Sequence, residues 1–223
     1  MINNKFNIKE IIQMLDQLRS ELKLLLTQPL PGIKAQTIMA PAGRDLKEKY
    51  TNPVKGAVMI LLFEKENELF TIFIRRPDYD GVHSGQVAFP GGKFEAEDPD
   101  LIHTALRETY EEIGVKPEAI EVLGKLSPLY IPVSNIEVQP VVGFLNSQPL
   151  LDLNSAEVRY IIIEKVSDFF KPEILSTLQF SMEVGKIEAP AYHVSNELIW
   201  GATAMIFSEF LTVLKNTSFT VRL

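Results

Sequence analysis

Glu108, Glu111 and Glu112 stand at i, i+3 and i+4 within the run G-G-K-F-E-A-E-D-P-D-L-I-H-T-A-L-R-E-T-Y-E-E-I-G-V, from Gly91 to Val115. On a helix that spacing gathers three carboxylates on one face, about one turn apart. Like charges so placed cost roughly 0.2–0.5 kcal/mol per pair in an isolated helix. Two readings are open. One is a solvated acidic face; the other is a set of hard oxygen ligands for a divalent cation that neutralises them. The Gly91-Gly92 turn just ahead and Arg107 beside Glu108 favour the second.

The element that positions these carboxylates is well signalled. Asp98 suits the N-cap, Pro99 the first helical position, and Asp100 adds negative charge at the positive end of the dipole. Gly114 stops the helix and Pro117 lies beyond it. Ile102, Leu106, Thr109 and Ile113 cluster on one side, with the glutamates centred roughly 130° away. One face can therefore pack on a core while another presents carboxylates to a cleft.

Further out, apolar residues recur at helical spacing from Ile8 to Leu25, and Pro29–Gly32 ends that helix. Its polar face mixes acids and bases, so it reads as a packing strip and not a membrane anchor. Residues 33–53 read as irregular. Val54–Phe63 and Leu69–Arg76 flank a polar Glu64–Glu68 turn and predict a β-hairpin. Pro77–Val87 reads as a loop, Ile120–Leu129 and Val138–Leu145 as strands, and Tyr160–Val166 as a short strand after a Glu157–Arg159 turn. Ala191–Val194 is a further strand, and Ile199–Leu214 a largely apolar helix. Hairpins mixed with long helices predict an α+β fold, an α/β/α sandwich.

Composition narrows the function classes. The 223 residues give one domain, or one domain with an extension. A formal net charge of −7 argues against nonspecific binding to nucleic acid or an anionic membrane. With no cysteine, disulfides, thiolate catalysis and cysteine-based zinc sites are excluded. No apolar h-region and no uncharged run near the ~18 residues needed for a membrane span is visible, so a soluble, cytoplasmic protein is expected. Gly92-Lys93 is not a P-loop, because Phe94 stands where Ser or Thr is required.

The Gly91–Val115 stretch resembles the signature of the Nudix hydrolases, G-x5-E-x7-R-E-U-x-E-E-x-G-U, where U is bulky and apolar. Arg107, Glu108, Glu111, Glu112, Gly114 and Val115 match position by position. Thr109 stands where a bulkier apolar residue is usual. Asp98 stands where the first Glu is expected, with a spacer one residue longer. A second stretch is similar to the upstream motif of the coenzyme A pyrophosphatase branch, L-L-T-x-R-[SA]-x3-R-x3-G-x3-F-P-G-G. Arg76, Gly85, Phe89, Pro90, Gly91 and Gly92 are in register, and Gln86–Phe89 also looks like that branch. Asn154–Val158 and Ile199–Ala204 resemble further segments of it. Ile74, Pro77 and Gly81 depart from the motif, and Gly81 replaces an arginine thought to help recognise the coenzyme A moiety.

The resemblance implies a Nudix domain over 33–223, with a helical extension over 1–32 packed on it. It implies metal-dependent hydrolysis of a nucleoside diphosphate linked to another group, with coenzyme A or its acyl esters as the leading substrates. Glu108, Glu111 and Glu112 would hold Mg²⁺ or Mn²⁺, which polarises a phosphoryl oxygen and activates water. Arg107 would complete the catalytic set by orienting a glutamate, and Arg76, Gln86, Gly91 and Gly92 would meet the substrate. A further carboxylate often comes from outside the signature; Glu137 and Glu157 are both candidates. His83 matches a position often His in the branch, Phe89 and Trp200 read as packing residues, and His103 and His193 receive no role. The expected partner is a small-molecule diphosphate, with no nucleic acid, no membrane and a possible homodimer. Two other readings stay open: a Nudix pyrophosphatase for ADP-ribose, a dinucleotide or a nucleoside triphosphate, and a non-catalytic nucleotide sensor.

Overall fold

Residues 54–65 alternate so that Ala57, Met59, Leu61 and Phe63 bury in one apolar cluster while Ile60 and Leu62 bury in another. A strand buried on both faces sits mid-sheet and needs cover on each side. A computed structural model, describing residues 8–44, 51–182 and 185–219, supplies both covers. Helix α1 (Ile8–Leu25) and the short α2 (Ile33–Gln36) precede the sheet. The strands are β1 (Val54–Lys65), β2 (Glu68–Arg75), β3 (Val87–Ala88), β4 (Gly91–Lys93), β5 (Glu121–Lys125), β6 (Leu129–Ile131), β7 (Ile136–Leu145) and β8 (Tyr160–Lys165). Helix α3 (Leu101–Ile113) lies between β4 and β5. A second sheet, β9 (Leu175–Met182), β10 (Gly185–Val194) and β11 (Glu197–Trp200), leads into α4 (Gly201–Leu214).

The main sheet has eight strands. Its spine runs β3-β2-β1-β7-β5, with β4 beside the start of β1, β6 on β7 and β8 on β2. Strands β1 and β7 are parallel from Val54↔Ile136 to Phe63↔Leu145, and the other pairings are antiparallel. On one face Ala105, Ile113 and Val115 from α3 and its exit cover Met59, Leu61, Phe63 and Val141. On the other, Leu18 and Leu22 of α1 and Phe207 and Phe210 of α4 join Ile60, Leu62, Phe73 and Phe144. This is the expected α/β/α layering.

Glu209, fully buried on α4, fastens the segment after α1 by accepting from the Gly32 N–H (3.0 Å) and from Gln36 Nε2 (2.9 Å). Arg19 stacks over the Phe144 ring at 5.2 Å, and Lys23 reaches Glu121 at 2.6 Å.

Four local expectations are corrected. The helix N-cap is Asp100, whose carboxylate accepts from the Ile102 and His103 N–H groups; Asp98 has a nonlocal partner instead. Gly91-Gly92 is not a turn but strand β4, paired with Val58 and Ala57. Residues 33–39 of the segment read as irregular form α2 and a 3₁₀ turn, while residues 45–50 lie outside those described. The last helix starts at Gly201, because Ile199 and Trp200 belong to β11. The hairpin held, with its turn trimmed to Glu66 and Asn67, both in left-handed conformation.

Candidate active site

The site forms where α3 crosses β4. Phe89 anchors the approach: it is buried and packs on Phe73 (ring centroids 4.8 Å apart) and Phe207 (5.7 Å), as expected of a packing residue. The Pro90 carbonyl then accepts from the Met59 N–H at 2.8 Å, and Gly91 follows at φ 155°. A Cβ at Gly91 would lie 2.3 Å from the Ala57 carbonyl oxygen and 2.6 Å from the Val58 Cα. One at Gly92 would lie 2.4 Å from the Glu108 carboxylate. The two glycines thus have different reasons: Gly91 lets β4 dock on β1, and Gly92 leaves room for a carboxylate.

Helical geometry separates the three glutamates. Glu108 and Glu112, one turn apart, face inward; Glu112 is 1% exposed and Glu108 9%. The Gly91 N–H donates to Glu112 Oε2 at 2.8 Å. Burial raises the Glu108 carboxyl and pushes that of Glu112 up to about 8; the Gly91 N–H and the Arg76 charge only partly oppose the shift at Glu112. Glu111 turns to the exposed side and accepts from Arg107 at 2.9 Å. The third member of the inner cluster is Glu157. One carboxylate oxygen from each of Glu108, Glu112 and Glu157 lies within 4.8 Å of the others. Glu137, the competing candidate, instead pairs with Lys55, its neighbour across the parallel β1–β7 ladder.

Arg107 has five N–H donors, and all are used. Nε reaches Asp98 Oδ1 (3.0 Å); Nη1 reaches Glu108 (3.0 Å) and Glu111 (2.9 Å). Nη2 reaches the Lys93 carbonyl and Asp98 Oδ2, each at 3.0 Å. A saturated guanidinium orients carboxylates and has nothing left for a substrate.

Asp98 also accepts from the Glu95 N–H (3.1 Å) and the Thr104 hydroxyl (2.9 Å), and Arg107 chiefly holds its carboxyl down to about 2. The sign follows. A depressed carboxyl stabilises the fold fully above its ordinary value of 3.8, and that contribution is lost as pH falls through about 2. Asp98→Ala is expected to lower unfolding stability by roughly 2 kcal/mol at neutral pH, the scale of charged hydrogen bonds. In urea melts the gap between variant and wild type should narrow below pH 3.8; a gap constant down to pH ~2 would contradict this account.

Thr109, the departure within the signature, is fully buried and satisfies its hydroxyl on the Ala105 carbonyl at 2.6 Å. Arg76 Nε is buried and, among the described residues, has no hydrogen-bond acceptor, while its charge acts on Glu112. Gln86 Oε1 meets His83 Nδ1 at 3.0 Å, and His83 Nε2 lies 3.3 Å from Ser134 Oγ, so both side chains brace the 77–87 loop. Neighbouring cations are engaged: Arg75 with Glu197 at 2.8 Å, Arg159 with Asp78. His103 pairs with Asp100 at the helix cap, His193 is exposed on β10, and Trp200 is half-buried ahead of α4. Beside Glu111 a cleft of about 410 Å³ opens, lined by Tyr110, Lys116, Asp152, Leu153 and Asn154 among others.

Glu157 is held by Asn154, whose role the sequence does not single out; the one signal is an Asn able to open a turn by accepting from the N–H two residues on. The 410 Å³ cleft had no sequence signal, because its walls come from α3 and a distant loop.

The NUDIX domain family matches residues 53–172. The Nudix hydrolase NudL of Pectobacterium atrosepticum is 35% identical over 127 residues, 57% of this chain and 66% of that protein. Nudix hydrolase 22, chloroplastic, of Arabidopsis thaliana is 35% identical over 168 residues, 72% of this chain and 55% of that protein. The chain thus spans between about half and two thirds of these relatives' own lengths. The crystal structure of a MutT/nudix family protein from Enterococcus faecalis shares the fold, with TM-score 0.50 and 18% identity, covering 95% of this chain and 71% of that one. No helix among the described residues is long and apolar enough to cross a membrane.

Proposed function

The chain belongs to the Nudix hydrolase family, and from that premise we propose that it cleaves the diphosphate of a nucleoside diphosphate joined to a second group, using Mg²⁺ or Mn²⁺. The observation that carries this reading is the convergence of Glu108, Glu112 and Glu157 within 4.8 Å, with Glu112 almost wholly buried. Mutually repelling carboxylates brought this close, one of them buried, are relieved by a hard cation, and their oxygens are the donors that Mg²⁺ and Mn²⁺ take. Bound there, such a cation would neutralise charge on the diphosphate and polarise the phosphoryl group whose phosphorus is attacked.

The chain's own residues do the positioning. Glu108, Glu112 and Glu157 form the inner ligand set, and Glu111, exposed and held by Arg107, stands at its rim. Arg107 fixes Glu108 and Glu111 against Asp98, as its five hydrogen bonds support. Gly92 keeps the space in front of Glu108 open, and the Gly91 N–H holds Glu112. Arg76, with its buried Nε and its field on Glu112, is the residue proposed to meet the diphosphate. Gln86, paired to His83 and accepting at its carbonyl from the Arg76 N–H, acts by bracing the loop beside Arg76.

For the substrate, the register of Arg76, Gly85 and Phe89–Gly92 supports coenzyme A or an acyl-coenzyme A, giving adenosine 3′,5′-bisphosphate and a phosphopantetheine. A second reading has its own support. Gly81 replaces a cation of that motif, and Arg75 and Arg159 nearby are already paired, which favours ADP-ribose or a dinucleotide lacking the extra phosphate. Incubating the protein with Mg²⁺ or Mn²⁺ and a panel of diphosphates, with products identified by mass spectrometry, separates them. Coenzyme A is expected to be cleaved. Intact coenzyme A beside cleaved ADP-ribose would establish the second reading. Binding without turnover of any member would replace both with a nucleotide sensor.

A further inference from the structure

The geometry points to Asn154 as the residue that positions Glu157 at the carboxylate cluster, an inference that rests on reading the cluster as a cation site. Glu157 is on an exposed loop, whereas Glu108 and Glu112 are on a rigid helix. A loop carboxylate contributes to a cation site only if something registers that loop against the helix.

Asn154 makes both halves of that connection. Its backbone N–H donates to the Glu112 carbonyl at 3.0 Å, and the Asp152 N–H donates to the Ile113 carbonyl at 3.0 Å. These are last-turn carbonyls that lack intrahelical partners. Gly114 makes the approach possible: it exits in the left-handed conformation, and a Cβ there would lie 2.7 Å from the Asp152 Cβ. The loop is therefore clamped to the same turn of α3 that carries Glu112.

From that anchor Asn154 folds the chain back. Its carbonyl accepts from the Glu157 N–H (3.0 Å) and the Val158 N–H (2.8 Å). Its side-chain oxygen accepts from the Ala156 N–H (3.1 Å), an Asx turn, and Nδ2 donates to Glu157 Oε1 at 3.3 Å. The amide thus shapes the turn with one atom and steers the carboxylate with the other. Val158, 1% exposed, pins the far side of the turn into the core. Asn154 touches no reacting atom in this scheme; it acts through Glu157.

Serine separates the two roles. Its hydroxyl can accept from the Ala156 N–H and keep the turn, but it is too short to reach Glu157. Mn²⁺ binding to the full chain, followed by electron paramagnetic resonance, is the readout. Asn154→Ser is expected to weaken Mn²⁺ binding about tenfold, the scale seen for partners that orient a ligand, with an unchanged cation-free melting curve. Asn154→Thr serves the same purpose if the serine variant melts early. In a Glu157→Ala background the serine substitution should change Mn²⁺ affinity by less than about twofold, because the two groups act as a unit. Wild-type affinity in Asn154→Ser, or an equal tenfold loss with Glu157 absent, would overturn the inference. Unchanged affinity in Glu157→Ala alone would overturn it too, leaving Glu108 and Glu112 as the cation site. A wild-type protein that binds no Mn²⁺ would instead remove the cation reading on which all of this stands.

Discussion

Glu112→Gln is expected to lower the rate of diphosphate hydrolysis by about 10³-fold while leaving the cation-free fold at least as stable as the wild type. The rate follows from charge. A cation's stabilisation of a phosphoryl-transfer transition state is worth several kcal/mol, and about 1.4 kcal/mol is tenfold in rate. A neutral amide at the most buried ligand forfeits most of it. The stability follows from burial, which pushes the Glu112 carboxyl up from 4.5 to about 8. A raised carboxyl favours the protonated folded state, so its cost to stability begins above pH 4.5 and is complete near pH 8. Glutamine is neutral at every pH and its amide oxygen can still accept from the Gly91 N–H. Without cation, the variant's melting temperature should therefore match or exceed wild type at pH 7.5 and coincide with it near pH 4. Activity within tenfold of wild type would refute the role of Glu112.

The second large effect divides two adjacent glycines. Gly92→Ala puts a methyl group within 2.4 Å of the Glu108 carboxylate, the mobile end of a side chain. That end can swing away at little cost to the fold, but it leaves its position. A displacement near 1 Å costs about 10²-fold in rate, so hydrolysis should fall by that order with near-wild-type melting. Gly91→Ala meets the Ala57 carbonyl and the Val58 Cα, at a φ of 155° that L residues rarely adopt. It should destabilise the fold by about 1–3 kcal/mol, as overpacking does. Steady-state kinetics and thermal melts on the two variants decide the matter. Equal loss of stability in both would contradict the separate roles assigned here.

Much of this site was legible before the fold was known, and what was not has identifiable physical causes. The Glu108–Glu112 spacing and Gly114 placed the helix and its end correctly, because helical periodicity and a left-handed exit are local properties. The start was misplaced because Asp98-Pro99-Asp100 offers two capping acids. The choice was made by Arg107 and Thr104, which engage Asp98 from nine and six residues away. Spacing also treated Glu111 and Glu112 alike, although packing against β4 buries one and leaves the other with Arg107. Glu137 and Glu157 could not be ranked from sequence. The fold separates them: the parallel β1–β7 register sets Glu137 against Lys55, while Glu157 reaches Glu108 and Glu112. Strand β9 went unread although Leu178, Phe180 and Met182 alternate with polar residues, since its partner β10 gives a two-stranded signal only once both are seen.

The proposed hydrolysis needs Glu108, Glu112 and Glu157 to hold a divalent cation together. Crystals grown with Mn²⁺ and measured near the manganese absorption edge test it most directly. An anomalous peak is expected between these three carboxylates, within about 2.0–2.4 Å of an oxygen from each. A peak elsewhere, or none at saturating Mn²⁺, would contradict it.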